Sequence, residues 1–468
     1  MIAKIYSKSL CRQQREQITC CWSRDQRYFS LPRARIMFHK MGFTFDCLVY
    51  FSLVSVFNIS PQLPDGQDLP LPPVILGKLA DDPQSPTVCF YGHVDVQPAK
   101  KEDGWKTDPY TLTEINGNLY GCGAIDNKGS IFAWINAVET FKALKLVGIK
   151  RIIIIIIIIT TTTIIPTSLE GYLYILCFFS DVDYVVISDS LWLSNKKPSL
   201  TYGSQGNAYL FVEVECGSKD LHSGTFGGII HEPLMDLTAL LDSLVDRTGH
   251  IQIPGIYDSV VSLTEEEMKL YESIEFNLEE HKNNSGVKKF LYSTKEEILL
   301  HLWHCPSLSI HGIEGAVHES GIKTVIPAKV IGKFSIHQVV EDLENVFSKR
   351  NSPNKLKVSM PLGAKLWVTD VNDPLYKTAR RKTHFIWDGS TVPVARMFHI
   401  IMQKSVIILL IGAANYKEHS QNEKISRVLL FVDLYNYIEG TKMFAAFFLE
   451  IPKLHRHLHE NSNTDTNN

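Results

Sequence analysis

The chain has 468 residues, 45% of them apolar and 21% charged, an ordinary globular composition with enough length for two or three domains, each with its own core. Its formal charge of −3, with no basic cluster, excludes the electrostatic footprint of a nucleic-acid binder. Nine cysteines without a Cys-x-x-Cys do not form a disulfide framework, and the odd number leaves at least one thiol free.

In chain order, the first sixty residues do not open as a secretory leader, because Lys4, Lys8, Arg12 and Arg15 interrupt any apolar core. Met41 precedes a second apolar stretch, 47–57, which is too short to span a membrane. The sequons Asn58-Ile59-Ser60 and Asn283-Asn284-Ser285 are usable only in a secreted protein. The apolar run Val88-Cys89-Phe90 then leads into Tyr91-Gly92-His93-Val94-Asp95. A glycine-rich turn, Gly121-Cys122-Gly123-Ala124-Ile125-Asp126-Asn127, follows about thirty residues later. Imidazole and carboxylate at the ends of apolar runs are the ligand types that hold zinc or manganese at a rigid strand edge. Cys122, beside Asp126, is a conceivable soft ligand.

Isoleucine fills positions 152 to 159 and threonine 160 to 163, before Ile164-Ile165-Pro166. Such a run has no periodicity that marks one buried face, and it has the character of a translated simple repeat. As a helix, 152–165 would reach about 21 Å against roughly 30 Å of hydrocarbon. A buried central strand is the better reading, and no membrane span is expected. Two more ligand candidates follow apolar segments: Asp189 after Val185-Val186-Ile187, and His419 in Glu418-His419-Ser420. Between them Asn207–Glu215 alternates like a strand. Pro233 stands in the first turn of an apolar-periodic helix, and Thr264-Glu265-Glu266-Glu267 reads as a capped helix start.

From about Pro61 to His455 the chain resembles the M20 family of metallopeptidases, most closely its carnosine-dipeptidase branch. The likeness rests on the His93 and Asp126 motifs, Trp134-Ile135-Asn136-Ala137, Leu221-His222-Ser223-Gly224-Thr225 and Tyr437-Ile438-Glu439-Gly440-Thr441-Lys442. It implies an α/β fold: a doubly wound catalytic domain (61–205 and 371–459) interrupted by an α+β lid and dimerisation domain (206–370). Residues 1–60 stay unmatched and 460–468 form a polar tail. The insertion Val428–Leu434 separates Asn422-Glu423-Lys424, which the family resemblance implies to be a helix start, from Tyr437-Ile438-Glu439. It further implies two divalent metal ions, zinc or manganese, with His93, Asp189 and His419 as terminal ligands and Asp126 as the bridging carboxylate. Asp95 would orient the His93 ring. His222 and Thr324 would be lent to the partner subunit of a homodimer, and Thr391 would contact a dipeptide substrate. The compartment, secreted or cytoplasmic, stays open.

Two departures from the family accompany the match. Where the family carries a Glu-Glu pair, general base and metal ligand, this chain has Thr160 and Thr161; Glu170, beyond Pro166, is the nearest acid. A threonine does not deprotonate water at neutral pH, and general-base assistance is typically worth about 100- to 10,000-fold. His337 stands where the family has an arginine that grips the substrate's terminal carboxylate, and it is shorter and mostly neutral. The sequence therefore implies a metal-dependent dipeptidase impaired in its chemistry. The alternatives are an inactive dimeric binding or scaffold relative, or another M20 hydrolase such as an aminoacylase or carboxypeptidase.

Overall fold

The computed structural model describes residues 51–57, 74–80, 85–94, 96–144, 151–157, 181–193, 197–258, 260, 263–316, 321–337, 353–379, 383–412, 418–426 and 436–465. Its largest sheet runs in the order Phe51–Phe57, Val74–Ala80, Arg151–Ile157, Thr87–His93, Tyr184–Ile187, Ser405–Leu409, Ser199–Ser204, Trp367–Val368, and His384–Asp388 also pairs with Ser199–Ser204. Arg151–Ile157, Thr87–His93, Tyr184–Ile187 and Ser405–Leu409 are parallel to one another, so their carboxyl ends meet at one edge. Ligands of open α/β sheets sit at such an edge.

Thr87–His93 is buried along its whole length, which is why it reads as a continuous rather than an alternating apolar run. Successive side chains point to opposite faces. Phe90 stacks on Trp134 at 5.2 Å between centroids and meets Phe448 edge-on at 5.4 Å, whereas Tyr91 meets Phe398 at 5.9 Å. Trp134 belongs to the helix Lys128–Ala143, Phe448 to Asn436–Asp465 and Phe398 to Pro393–Met402. Helices therefore cover both faces of the sheet, as the doubly wound expectation requires.

The isoleucine tract is an interior strand. Arg151–Ile157 pairs antiparallel with Val74–Ala80 and parallel with Thr87–His93, with Ile157 opposite His93. β-Branched residues suit a pleated ladder, so strand formation needs nothing beyond the homopolymer. Positions 158–165, including Thr160 and Thr161, lie outside the described residues, as do Glu170 and the insertion Val428–Leu434. No helix among the described residues is long and apolar enough to cross a membrane.

A second, four-stranded antiparallel sheet runs Ser307–Glu314, Lys329–His337, Asn207–Glu215, Lys355–Ala364. Asn207–Glu215 alternates strictly between buried and half-buried residues, and Pro233 opens the helix Pro233–Asp242 that covers it. Leu237, Leu240, Leu241 and Phe334 centre this separate core. Thr264 caps the helix Glu265–Ser273 through a reciprocal pair: its hydroxyl accepts from the Glu267 amide at 3.2 Å, and Glu267 accepts from the Thr264 amide at 2.9 Å. That helix and Lys295–Trp303 do not join the second core; Tyr271, Ile274, Leu299 and Trp303 pack into the main one. The helix start expected at Asn422-Glu423-Lys424 is instead a strand, Lys424–Ser426, antiparallel to Asn118–Tyr120. Its single apolar residue, Ile425, is buried between two half-buried neighbours, as side chains that alternate across a strand are.

Candidate metal centre

Each candidate ligand sits where an element ends. His93 is the last residue of its strand and is 6% exposed. Gly92 before it leaves room for the helix Lys128–Ala143: a Cβ there would fall 2.5 Å from Ile131 Cγ1. Asp126 lies in the turn that feeds the same helix, with Gly123 at φ +82° supplying the left-handed step. Asp189 follows the strand Tyr184–Ile187 by two residues. The side-chain amide of Asn127 donates to Asp189 Oδ1 at 3.1 Å and also to the Ser188 carbonyl. His419 adopts φ +55°, a region that costs a non-glycine residue of the order of 1 kcal/mol and clusters at functional sites.

The four converge. His93 Nε2 lies 3.2 Å from Asp126 Oδ1 and 3.4 Å from Asp189 Oδ1, and one ligand atom from each of the three falls within 4.8 Å of the others. The second oxygen of Asp126, Oδ2, lies 2.7 Å from His419 Nε2. One carboxylate thus faces a different imidazole with each oxygen. Donor atoms about 3 Å apart are spaced as ligands on one ion with bonds near 2.0–2.2 Å. The residues fit a divalent metal.

Electrostatics agree with the geometry. Burial works to raise the Asp126 pKa, but hydrogen bonds and charge from His419 and His93 hold it well below the usual carboxylate range. His419 is pushed up to about 9, first by its bond to Asp126. Burial, then the charges of Asp126 and Asp388, lift Glu418 to about 8. Glu423 rises to about 7 through burial, against the backbone N–H groups it accepts. Beside the cluster a cavity of about 600 Å³, ample for a dipeptide-sized ligand, is lined by Ser190, Asp388, Glu418 and Ser420 at the ligand end and by His281 and Trp303 at the other.

Known proteins match the chain along most of its length. Residues 89–158 match the model of peptidase family M20/M25/M40. The chain is 53% identical over 454 residues to the Beta-Ala-His dipeptidase of Homo sapiens, covering 91% of this chain and 87% of that protein. The chain belongs to the M20 peptidase family. Within it, the Cys-Gly metallodipeptidase DUG1 of Saccharomyces cerevisiae is 40% identical over 418 residues, covering 83% of this chain and 84% of its own. The crystal structure of human carnosine dipeptidase 1 superposes with a TM-score of 0.81 at 49% identity, over 97% of this chain and all of that one. This M20 chain is accordingly a metallopeptidase with an α/β catalytic fold, and M20 metallopeptidases use divalent metals.

Of the remaining candidates, Thr391 and His337 lie near one another, each close to Gly389. The Thr391 hydroxyl is buried without a partner. Burial lowers the His337 pKa, His311 lowers it further, and a hydrogen bond with the Gly389 backbone opposes both, so the ring is neutral at pH 7. His222 and Thr324 are exposed neighbours on the ladder Leu221–His222 with Val325–Ile326; the Ser223 amide donates to the Thr324 carbonyl at 3.3 Å. The His222 ring accepts from the Gly224 amide. Asp95 lies outside the described residues. Cys122 is not part of the cluster formed by His93, Asp126 and Asp189; its thiol donates to the Gln97 carbonyl. Asn127, Asp388 and Glu423 carry no role in the sequence reading. Asn127 had a legible signal, an amide directly after a candidate ligand, whereas Glu423 stands in a polar run that shows none.

Proposed function

We propose that this chain is a metal-dependent dipeptidase of the M20 type, built to hydrolyse short peptides such as beta-alanyl-histidine. His93 and Asp189 hold one ion, His419 holds the other, and Asp126 bridges them; zinc and manganese both suit this donor set. The observation that carries the reading is Asp126, with one oxygen 3.2 Å from His93 and the other 2.7 Å from His419. Bound metal ions supply a Lewis acid and lower the pKa of water. Asp95 fixes the His93 ring, His337 and Thr391 face the substrate, and His222 and Thr324 serve the neighbouring subunit of a homodimer formed through the lid. Relatives named as dipeptidases support the substrate class.

On this reading turnover by the chain as it stands is expected to be no more than a trace. Ile157 is paired with His93, so the strand Arg151–Ile157 ends at the edge where the ligands gather. A base is needed at that edge, and positions 158 to 163 hold only isoleucine and threonine. Titration of the full chain with zinc or manganese is expected to show two sites per chain, with His93→Ala removing at least one. Unchanged uptake by His93→Ala would overturn the ligand set.

A further inference from the structure

Glu423 is 4% exposed, and every acceptor it has is aimed at the Asp126 turn. Its Oε1 accepts from the amides of Ile125 at 2.9 Å and Asp126 at 3.0 Å, and its Oε2 from Gly123 at 2.9 Å. Its backbone carbonyl accepts from Gly121 at 3.1 Å. Four N–H groups of one short turn thus converge on one residue almost three hundred positions away in the chain.

The other end of the strut is tied down independently. Lys424–Ser426 pairs with Asn118–Tyr120; Asn422 donates to the Gly104 carbonyl at 3.2 Å and accepts from the Lys106 amide at 2.8 Å. His419 lies on the same segment, four residues before Glu423. One side chain therefore joins the loop bearing His419 to the turn bearing Asp126, and it fixes the separation between the two groups that face each other at 2.7 Å. Glutamine would keep the shape but turn an NH₂ toward the Gly123 amide, setting donor against donor. Aspartate is one methylene too short to reach the turn from the same backbone.

We propose that Glu423 is a positioning residue of the metal centre, a strut that sets the bridging carboxylate and the His419 imidazole at metal-binding distance. It acts through Asp126 and His419 and touches neither metal nor substrate. The proposal rests on the ligand assignment above, and the experiment separates the two. Zinc is titrated calorimetrically into the full-length chain and its Glu423→Gln, Glu423→Ala and Asp126→Asn variants, with thermal unfolding of each metal-free protein recorded alongside. Partners behind metal ligands are typically worth about 10- to 100-fold in affinity. Glu423→Gln should weaken zinc about 10-fold and Glu423→Ala about 100-fold, both in protein that remains folded at the titration temperature. Should the alanine variant not fold, the isosteric glutamine variant carries the test. Wild-type zinc affinity in Glu423→Gln, whatever its thermal stability, would reduce Glu423 to a structural residue and overturn the proposal. Wild-type affinity in Asp126→Asn would instead overturn the ligand assignment.

Discussion

Two neighbouring strands in the largest sheet lie side by side in register, Thr87 opposite Arg151 and His93 opposite Ile157, yet they carry opposite kinds of information. Thr87–His93 ends in a ligand, and its Phe90 and Tyr91 are matched to particular aromatic partners on opposite faces. Arg151–Ile157 is almost a homopolymer and delivers no acid to the site. A ladder asks for little more than β-branched apolar residues, so the sheet survives the tract. Chemistry asks for particular side chains at the strand's end, and there the sequence offers only isoleucine and threonine from 158 to 163. Fold and function have separate sequence requirements even at adjacent strands.

That contrast can be broken by substitutions in the two strands and the surface around them. The largest expected effect is Phe90→Ala, which removes a ring packed on Trp134 and Phe448 and should cost about 3–5 kcal/mol in chemical denaturation. A loss under about 1 kcal/mol would mean that the aromatic matching of this strand is dispensable. Ile154→Pro should cost about 3 kcal/mol or more, because position 154 is paired on both sides, with Gly77 and Phe90. An unchanged unfolding midpoint would remove the tract from the sheet interior. Smaller again, Thr264→Ala should cost about 1 kcal/mol through loss of the helix cap, with metal affinity unaltered.

The smallest effect is a pH slope. His384 is 4% exposed, and its Nε2 accepts from the Glu275 amide at 3.3 Å, which requires an unprotonated nitrogen. Burial lowers its pKa from the ordinary 6.5, with Lys197 adding to the fall; burial likewise lowers His304 and His337. The unfolded chain therefore binds protons near pH 6.5 that the folded chain refuses. Stability held above that pH is lost as the solution is acidified through and below it. His384→Gln should flatten this slope in urea midpoints measured between pH 7.5 and 5. An identical slope in the variant would show that the ring does not stay neutral.

Much of the site was legible in the sequence. His93 and Asp189 end or follow apolar runs, and Asp126 closes a glycine-rich turn, so a strand-and-turn reading places them at one sheet edge. Glu423 and Asp388 were not legible, because a buried carboxylate serving backbone amides looks like any polar loop residue until the partner turn is brought to it. The helices Glu265–Ser273 and Lys295–Trp303 were readable as helices from their caps, but not their destination: an amphipathic face has the same spacing whichever core it joins. The strand Lys424–Ser426 was misread because three residues are too few to show a period.

The central claim is that this chain keeps a metal centre and lacks the base beside it. The measurement that tests it most directly is hydrolysis of beta-alanyl-histidine by the purified chain loaded with zinc or manganese, run beside a variant carrying Thr160→Glu and Thr161→Glu and repeated with a chelator. The account predicts no more than a trace of turnover from the unmodified chain and chelator-sensitive activity at least about 100-fold higher in the double variant. Robust, chelator-sensitive hydrolysis by the unmodified chain would contradict it and assign the base to another acid such as Glu170.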